Sequence, residues 1–140
     1  MELYEKSAHE LSEMLRSKEC SSEEITRSVM DRAEATDEKV GAYLTMCREE
    51  ALAKAREVDA KLARETLHPL AGIPIGIKDN ISTKGLLTTC ASRMLYNYVP
   101  PFNAFVMNKV NAADMVITGK LNMDEFAMGS STENSYFKKT

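Results

Sequence analysis

Cysteine and histidine are scarce in this sequence, and their scarcity excludes several classes of protein. The 140 residues include only three cysteines and two histidines. The cysteines, Cys20, Cys47 and Cys90, are odd in number and widely spaced, with no Cys-x-x-Cys pair. This pattern excludes a disulfide framework and a zinc site, and it indicates a reducing compartment. His9 and His68 have no cysteine or second histidine at ligand spacing, which argues against a metal site.

The sequence also lacks long apolar runs and a strong charge of either sign. No run approaches the roughly 20 apolar residues that span a bilayer, and the first residues show no basic segment followed by an apolar core. The net charge of −3 argues against a general surface for nucleic acid or anionic membranes. Since 44% of the residues are hydrophobic and 28% are charged, the composition is that of an ordinary globular domain. We therefore predict a cytoplasmic protein without a signal peptide or a membrane span.

The first half of the chain carries the signals of helices. Residues 7–10 and 21–24 both show the capping-box pattern, in which a serine is followed three residues later by a glutamate. The segment 48–65 is rich in good helix formers, and Pro69 ends this third helix because a proline disfavours helix in the residue before it. The short run 40–46 fits either a strand or an extended linker.

From Leu70 onward the pattern changes to strands and loops. The predicted elements are a strand at 73–77, a helix capped by Asn103 that runs to about Ala113, a strand at 115–119 and a helical turn at 122–126. Strand, helix, strand is the order of a βαβ crossover, so we expect an α/β fold with parallel pairing. Two strands leave every sheet edge open. We therefore predict a helical lead-in over residues 1–68 and the first part of a larger α/β domain over residues 69–140.

Lys78 occupies a distinctive position at the end of the first predicted strand. Alternation places it on the face opposite to three isoleucines and behind residues with almost no bulk, namely Gly72, Pro74 and Gly76. An amine with cleared space beside it suggests a site, whereas a lysine that reaches solvent at a strand end is the simpler interpretation. A lysine acts as a base only if burial or a neighbouring cation lowers the pKa of its amine by several units. The next residue, Asp79, is either a turn-former or a charge partner.

The hydroxyl-rich segment 129–132 is a second candidate site. It lacks the Gly-x-Ser-x-Gly spacing of a nucleophile elbow, so a polar turn is the alternative interpretation. Asp124 and Glu125 are adjacent and face different directions on a helix, which argues against an acid/base pair. We interpret Asp124 as a charge at a helix start, where the helix dipole favours a carboxylate.

Three segments resemble the amidase signature family. Residues 72–80, Gly-Ile-Pro-Ile-Gly-Ile-Lys-Asp-Asn, resemble the lysine motif of that family, and residues 88–92 and 119–135 look like a glutamine-hydrolysing branch of it. The resemblance covers essentially the whole chain and implies the amidase signature fold, with N-terminal helices followed by the start of a mixed or parallel sheet. Three residues differ from the family pattern. The resemblance leads us to expect Asp where Asn103 stands, Gly where Ala113 stands and a small residue where Asp114 stands.

The resemblance implies roles for five residues. In the family a lysine, a bridging serine held by a cis peptide and a nucleophilic serine form the catalytic relay, and Lys78 is implied to be its general base. Met128, Gly129, Ser130 and Ser131 correspond to a loop that borders the acyl pocket, so they are candidate substrate-binding residues. The two serines of the relay lie in a Gly/Ser-rich segment that, in the family, follows the region where this chain ends. We therefore expect a chain truncated before that segment and inactive by itself.

The implied function is that of a glutamine-hydrolysing subunit of a heterotrimeric amidotransferase. Such a subunit supplies ammonia for converting Glu-tRNA(Gln) to Gln-tRNA(Gln). The resemblance implies no cofactor in this chain, whereas a partner subunit uses ATP and Mg and makes most of the contact with aminoacyl-tRNA. Two alternatives stay open: a non-catalytic interaction module that binds partner subunits, and part of an amidase that acts on another small amide.

Overall fold

The fold is built from helices and a small sheet, as the computed structural model shows for residues 2–140. The helices and strands within these residues are α1 (Ala8–Ser17), α2 (Ser22–Val40), β1 (Tyr43–Met46), α3 (Arg48–Leu62), β2 (Pro74–Lys78), α4 (Phe105–Ala112) and β3 (Val116–Leu121). Single turns of 3-10 helix lie at Leu3–Glu5, Arg93–Leu95 and Glu125–Ala127. These elements confirm the predicted α/β class. Among the same residues no helix combines the length and apolar character needed to cross a membrane.

Both predicted capping boxes are formed. At α1 the Ser7 hydroxyl accepts a hydrogen bond from the Glu10 N–H, and the Glu10 carboxylate accepts one from the Ser7 N–H at 2.8 Å. Ser21 and Glu24 make the same reciprocal pair at the start of α2. These bonds satisfy N–H groups that have no partner within the helix. The Ser7 hydroxyl also donates to the Glu10 carboxylate and is the main cause that lowers the pKa of Glu10, whereas the Ser21 N–H is the main cause that lowers the pKa of Glu24.

The sheet has the strand order β1-β3-β2. β1 and β3 are antiparallel, with Tyr43 opposite Leu121 and Thr45 opposite Lys120, and a bulge lies between Tyr43 and Thr45. The run 40–46, for which a strand and a linker were both open, therefore contains a strand at its end.

β2 and β3 are parallel neighbours. The Val116 N–H donates to the Ile73 carbonyl at 3.0 Å, and the Asp79 N–H donates to the Leu121 carbonyl at 3.0 Å. The partners advance in the same direction along both strands, which is the mark of parallel pairing. Since α4 lies between these strands in the chain, the predicted βαβ crossover is confirmed, and the whole sheet is mixed.

Two predicted helix boundaries differ from the structure. α3 ends at Leu62, three residues before the predicted end at 65. α4 begins at Phe105, and Asn103 does not cap it. The Asn103 side-chain oxygen instead accepts the Lys84 N–H at 2.8 Å, so this amide fixes a loop 19 residues earlier in the chain.

The chain divides into two compact units, each assembled from separate segments. The first unit contains residues up to Ala35 together with Cys47–Ile75 and Val110–Thr118. Its apolar core is formed by Leu11, Leu15, Ile25 and Ile73. The second unit contains Thr36–Met46, Gly76–Lys109 and Gly119–Thr140. The division of the chain after residue 68 stays a prediction.

Asp114, one of the residues that differ from the family pattern, forms ion pairs with two lysines in the first unit. Its carboxylate accepts hydrogen bonds from Lys54 at 2.6 Å and from Lys61 at 3.0 Å. The Lys54 bond is the main cause that lowers the pKa of Asp114, although partial burial opposes it. The φ of Asp114 is 53°, in the left-handed region that aspartate tolerates better than most residues. An aspartate at this position therefore suits both the backbone and the two lysines.

Candidate active site

Lys78 is the last residue of β2, and its side chain is exposed. Ile77 before it is 3% exposed and Asp79 after it is 1% exposed, which is the alternation that a strand imposes. The Lys78 carbonyl accepts the Ile81 N–H at 3.0 Å, so the chain turns tightly after the strand. The Lys78 amine therefore projects from a strand end whose neighbouring residues are fixed in the interior.

Gly76, two residues before Lys78, makes room for a neighbouring side chain. A Cβ atom at Gly76 would collide with the side-chain carbons of Leu121 on β3. Residues 76 and 78 share one face of the strand. The small residue that precedes Lys78 on this face is therefore required by the packing of Leu121, while the lysine lies in the open.

The Asp79 carboxylate is buried and holds the loop that follows β2. Its Oδ2 accepts the Thr89 N–H at 2.9 Å and also the Thr89 hydroxyl. The Asp79 carbonyl accepts the Cys90 N–H at 3.1 Å. Its other carboxylate oxygen, Oδ1, lies 3.6 Å from the Lys120 amine. Asp79 lies in the turn closed by the Ile81 N–H and the Lys78 carbonyl, and its charge partner is a distant lysine of β3. Asp79 thus connects the end of β2 to residues 89–90 and to β3.

Lys120 is a buried lysine that motif reasoning misses. It lies in β3 with 0% of its side chain exposed. Its ammonium donates to the Ile81 carbonyl at 2.8 Å and to the Thr88 hydroxyl at 2.7 Å. The sequence offers little signal for this burial, because β3 extends to Leu121 and Lys120 lies just beyond the strand predicted at 115–119.

The segment 88–92 is the link between the end of β2 and the last part of the chain. Cys90 and Ala91 have φ values of 52° and 53°, and this left-handed pair turns their carbonyls toward later residues. The Phe126 N–H donates to the Cys90 carbonyl at 3.0 Å, and the Tyr136 N–H donates to the Ala91 carbonyl at 2.9 Å. Burial raises the pKa of the Cys90 thiol, which opposes a thiolate role for this residue.

Asp124 organises the second candidate segment. Its carboxylate, in a residue that is 5% exposed, accepts three backbone N–H groups, from Ser131 at 3.1 Å, Thr132 at 3.0 Å and Asn134 at 3.0 Å. The bonds from Asn134 and Thr132 are the main causes that hold the pKa of Asp124 below its usual range. The side chain makes no capping bond to the 3-10 turn that follows it. Asp124 does precede a helical turn, as predicted, but its carboxylate folds a loop and does not cap that turn.

The four candidate substrate-binding residues lie on this loop. Met128 is 79% exposed, and Gly129, Ser130 and Ser131 are exposed as well. The Ser131 hydroxyl donates to Glu133 at 2.8 Å, and a Cβ atom at Gly129 would collide with the Asp124 carboxylate. The loop thus presents an accessible surface in a conformation fixed by Asp124. Its contact with a substrate stays a prediction.

The second unit therefore contains all five predicted site residues. Lys78 is joined to the segment 88–92 through Asp79, and that segment is bonded to Phe126 and Tyr136, which flank the loop of Met128–Ser131. The Ser92 hydroxyl adds a hydrogen bond of 2.5 Å to the Glu125 carboxylate. Side-chain carboxylates and backbone carbonyls thus hold these residues in a single framework.

The histidines of the described chain pair with nearby groups. Across residues 2–140 no group of three or more His, Cys, Asp or Glu side chains is placed to hold a metal ion. His9 pairs with Glu13 at 3.3 Å on an exposed helix face. His68 accepts the Leu70 N–H at 3.2 Å.

Known proteins resemble this chain in both sequence and fold. The chain matches the Amidase family over residues 24–140. The A subunit of the glutamyl-tRNA(Gln) amidotransferase of Moorella thermoacetica is 59% identical over 141 residues, which cover 100% of this chain and 29% of that protein. The crystal structure of the corresponding A subunit from Thermotoga maritima is 33% identical, with a TM-score of 0.75 over 98% of this chain and 27% of that one. The native peptide amidase of Stenotrophomonas maltophilia is 28% identical, with a TM-score of 0.82 over 87% of this chain and 26% of that one.

These matches extend over nearly the whole of this chain but over a limited part of its relatives. The chain spans about 29% of the length of the curated relatives that it matches. The family match includes the Lys78 strand, the segment 88–92 and the loop of Met128–Ser131. The resemblance seen in the motifs is thereby confirmed, and the chain belongs to the amidase family.

Proposed function

We propose that this chain is the N-terminal part of a glutamine-hydrolysing amidotransferase subunit. The complete subunit would release ammonia from glutamine, and a partner subunit would use that ammonia to convert Glu-tRNA(Gln) to Gln-tRNA(Gln). The observation that carries the proposal is the 59% identity to the A subunit of a glutamyl-tRNA(Gln) amidotransferase over the full length of this chain.

Lys78 is the general base in this proposal. A neutral lysine accepts a proton through the bridging serine, and the nucleophilic serine then attacks the amide carbon of glutamine. The C–N bond breaks and the nitrogen leaves as ammonia, and water then hydrolyses the acyl-enzyme to glutamate. The fixed strand end supports this role, because a base must be held within hydrogen-bond reach of its proton. The Lys78 side chain is exposed in this chain, so other parts of the complete subunit must supply both the serines and the burial that keeps the amine neutral.

Met128, Gly129, Ser130 and Ser131 bind the substrate in this proposal. Their loop is exposed, and its shape is fixed by the buried Asp124 carboxylate. Ser130 and Ser131 contribute polar contacts and do not act as the nucleophile, since they belong to the motif of residues 119–135 and not to a Gly/Ser-rich segment.

The proposal includes partners and a location. The subunit works in a heterotrimer, where a partner subunit uses ATP with Mg and makes most of the contact with the aminoacyl-tRNA. In this proposal the chain itself binds no cofactor. The three free cysteines agree with the reducing cytoplasm as the compartment.

A chimeric subunit tests the proposal. This chain replaces the 141 matching residues of the Moorella thermoacetica protein, and the chimera is produced with the partner subunits of that organism. We expect ammonia release from glutamine, and we expect Lys78→Ala to reduce it at least about 100-fold, the lower range for loss of a general base. Lys84→Ala, which changes an exposed lysine on the next loop, is the matched control and should leave the rate unchanged.

The choice of amide separates the remaining alternatives. Ammonia release from acetamide or benzamide but not from glutamine would favour an amidase for another small amide. A chimera that assembles with its partners and releases no ammonia from any amide would contradict the catalytic role and favour a non-catalytic interaction module.

A further inference from the structure

The proposed mechanism uses Lys78 and leaves a second lysine unexplained. Lys120 is fully buried in β3, although a lysine ammonium in a dry interior is costly unless oxygen atoms surround it. The oxygens near the Lys120 ammonium include the Ile81 carbonyl at 2.8 Å, the Thr88 hydroxyl at 2.7 Å and the Asp79 Oδ1 at 3.6 Å. All three belong to the turn and loop that follow Lys78.

Both the backbone and the side chain of Asp79 are fixed by hydrogen bonds. Its N–H donates to the Leu121 carbonyl, its carbonyl accepts the Cys90 N–H, and its Oδ2 accepts both polar hydrogens of Thr89. Its Oδ1 has no hydrogen-bond partner among residues 2–140 and faces the Lys120 ammonium. The residue directly after Lys78 therefore cannot rotate without breaking the bonds to Thr89 and separating the buried charges.

We propose that Lys120 and Asp79 form a positioning pair that sets the direction in which the Lys78 side chain leaves the sheet. This inference rests on the proposed role of Lys78 as general base. A lysine has a long, flexible side chain, so the path of its amine depends first on the backbone that carries it. Because a displacement of about 1 Å at a reacting group can reduce a rate about 100-fold, a rigid residue at position 79 has a direct effect on catalysis.

A stabilising role alone does not account for the pair. Well-packed apolar residues of similar volume usually stabilise an interior as well as a buried ion pair or better. A charged pair adds directionality, since the Lys120 ammonium and the Asp79 Oδ2 find their hydrogen-bond partners only in one arrangement of the turn, the loop and β3. That arrangement is the one that fixes the strand end at Lys78.

Thr89 offers a mild way to test the pair. Thr89→Val keeps the shape of the side chain and removes the hydroxyl that donates to Asp79, whereas Thr89→Ser keeps the hydroxyl. Lys120→Met removes the buried ammonium at similar length and is the stronger change. Lys84→Met, at an exposed lysine of the same loop, is the control for loss of a lysine charge.

Two measurements are made on these variants. Hydrogen exchange of residues 79–92 is followed in the 140-residue chain, and kcat and KM for glutamine are measured in the chimera. We expect faster exchange and a fall of at least about fivefold in kcat for Thr89→Val, a larger fall for Lys120→Met, and a KM within about twofold of the parent for both. Thr89→Ser and Lys84→Met should behave like the parent.

The results separate this inference from the proposed function. An active parent chimera with unchanged kcat in Thr89→Val and Lys120→Met would overturn the positioning role alone. A kcat that falls only in proportion to the unfolded fraction, or a Thr89→Ser variant as impaired as Thr89→Val, would also overturn it. A folded parent chimera without glutaminase activity would overturn the proposed function and the role of the pair together, while the exchange data would still show whether the pair holds the loop.

Discussion

Two buried carboxylates, those of Asp79 and Asp124, organise the polar part of the second unit. Asp79 accepts hydrogen bonds from Thr89, and Asp124 accepts three backbone N–H groups of the segment 131–134. An ionised carboxylate has room for several donors, and charge-assisted bonds are stronger than neutral ones. At the scale of single residues, these two carboxylates hold the segments around 89 and 131–134 in place, although neither segment is part of a strand.

Removal of the Asp124 charge should loosen its loop. In Asp124→Asn one carboxylate oxygen becomes an NH₂ group, which cannot accept the N–H groups that point at it. We expect the amides of Ser131, Thr132 and Asn134 to exchange roughly fivefold to tenfold faster in the 140-residue chain. Glu133→Gln, at an exposed carboxylate of the same loop, is the control. Unchanged exchange in Asp124→Asn would show that other contacts shape the loop.

The Asp114 ion pairs should make stability depend on pH. The pKa of Asp114 is lowered in the folded chain, mainly by Lys54, so folding favours the ionised form. This contribution is complete above the unfolded pKa of about 3.9 and is lost as the pH falls through the lower folded value. We expect Asp114→Asn to reduce the free energy of unfolding at pH 7 by about 0.5–1 kcal/mol.

Urea unfolding across pH checks this expectation. The difference between Asp114→Asn and the parent should shrink as the pH falls below about 4, because the parent carboxylate then takes up a proton. Glu50→Gln, at an exposed glutamate of α3, is the control and should show no such trend. A difference that stays constant with pH would mean that the ion pairs do not stabilise the fold.

At the scale of elements, the pairing of β1 with β3 depends on one glycine. Gly119 has a φ of 153° and lies opposite Met46, and a Cβ atom there would collide with the Thr45 carbonyl. The strands thus approach more closely at this point than a residue with a side chain permits. This close approach precedes Lys120 directly, so it also fixes the position of the buried ammonium.

Gly119→Ala should therefore separate the two strands. We expect a loss of about 2–4 kcal/mol in the free energy of unfolding, from backbone strain together with the collision. Gly85→Ala is the matched control, since Gly85 has a φ of 78° but nothing lies within 4 Å of its Cβ direction, and strain alone costs about 1–2 kcal/mol. Urea unfolding of both variants measures the difference. Equal losses would show that the collision is relieved at little cost.

The elements that could be predicted from the sequence are those specified by local contacts. The starts of α1 and α2 follow from capping boxes whose partners are three residues apart, and the βαβ order follows from the pattern of apolar residues. Asn103 looks like a helix cap in isolation, yet its amide bonds a residue 19 positions away.

The candidate site could be predicted only in part, because some of its polar groups have partners far away in the sequence. Lys78 is marked by its motif, whereas the burial of Lys120 depends on oxygens of Asp79, Ile81 and Thr88, which lie 32 or more residues earlier. The Asp124 loop likewise depends on carboxylate bonds that its sequence does not reveal. Long-range partners of polar groups are visible only once the strands are in place.

At the scale of the whole molecule, the second unit exposes many large apolar side chains. Eleven of the exposed large hydrophobic residues among residues 2–140 lie in it: Val40, Met94, Tyr96, Val99, Phe102, Phe105, Val106, Phe126, Met128, Tyr136 and Phe137. The chain spans about 29% of the length of its relatives. In the proposed function, further segments of the complete subunit cover part of this surface and bring the relay serines to Lys78.

The 140-residue chain should therefore lack glutaminase activity by itself. A general base without its nucleophile cannot form an acyl-enzyme, and Ser130 and Ser131 belong to a different motif. Incubation of the purified chain with glutamine should release no more ammonia than the same chain with Lys78→Ala. Release above that control would show that a serine of this chain acts as the nucleophile.

The burial of an ammonium and a carboxylate in one interior also constrains the order in which the chain can assemble. If β3 docked on β2 before residues 79–92 closed, the Lys120 ammonium would be buried without its partners. If residues 79–92 closed before β3 docked, the Asp79 carboxylate would be buried without Lys120. Sheet formation and loop closure should therefore be one kinetic event. Pulse-labelled amides of β3 and of residues 79–92 would then gain protection at the same rate, and separate rates would reveal a path that keeps water beside the charges until a late step.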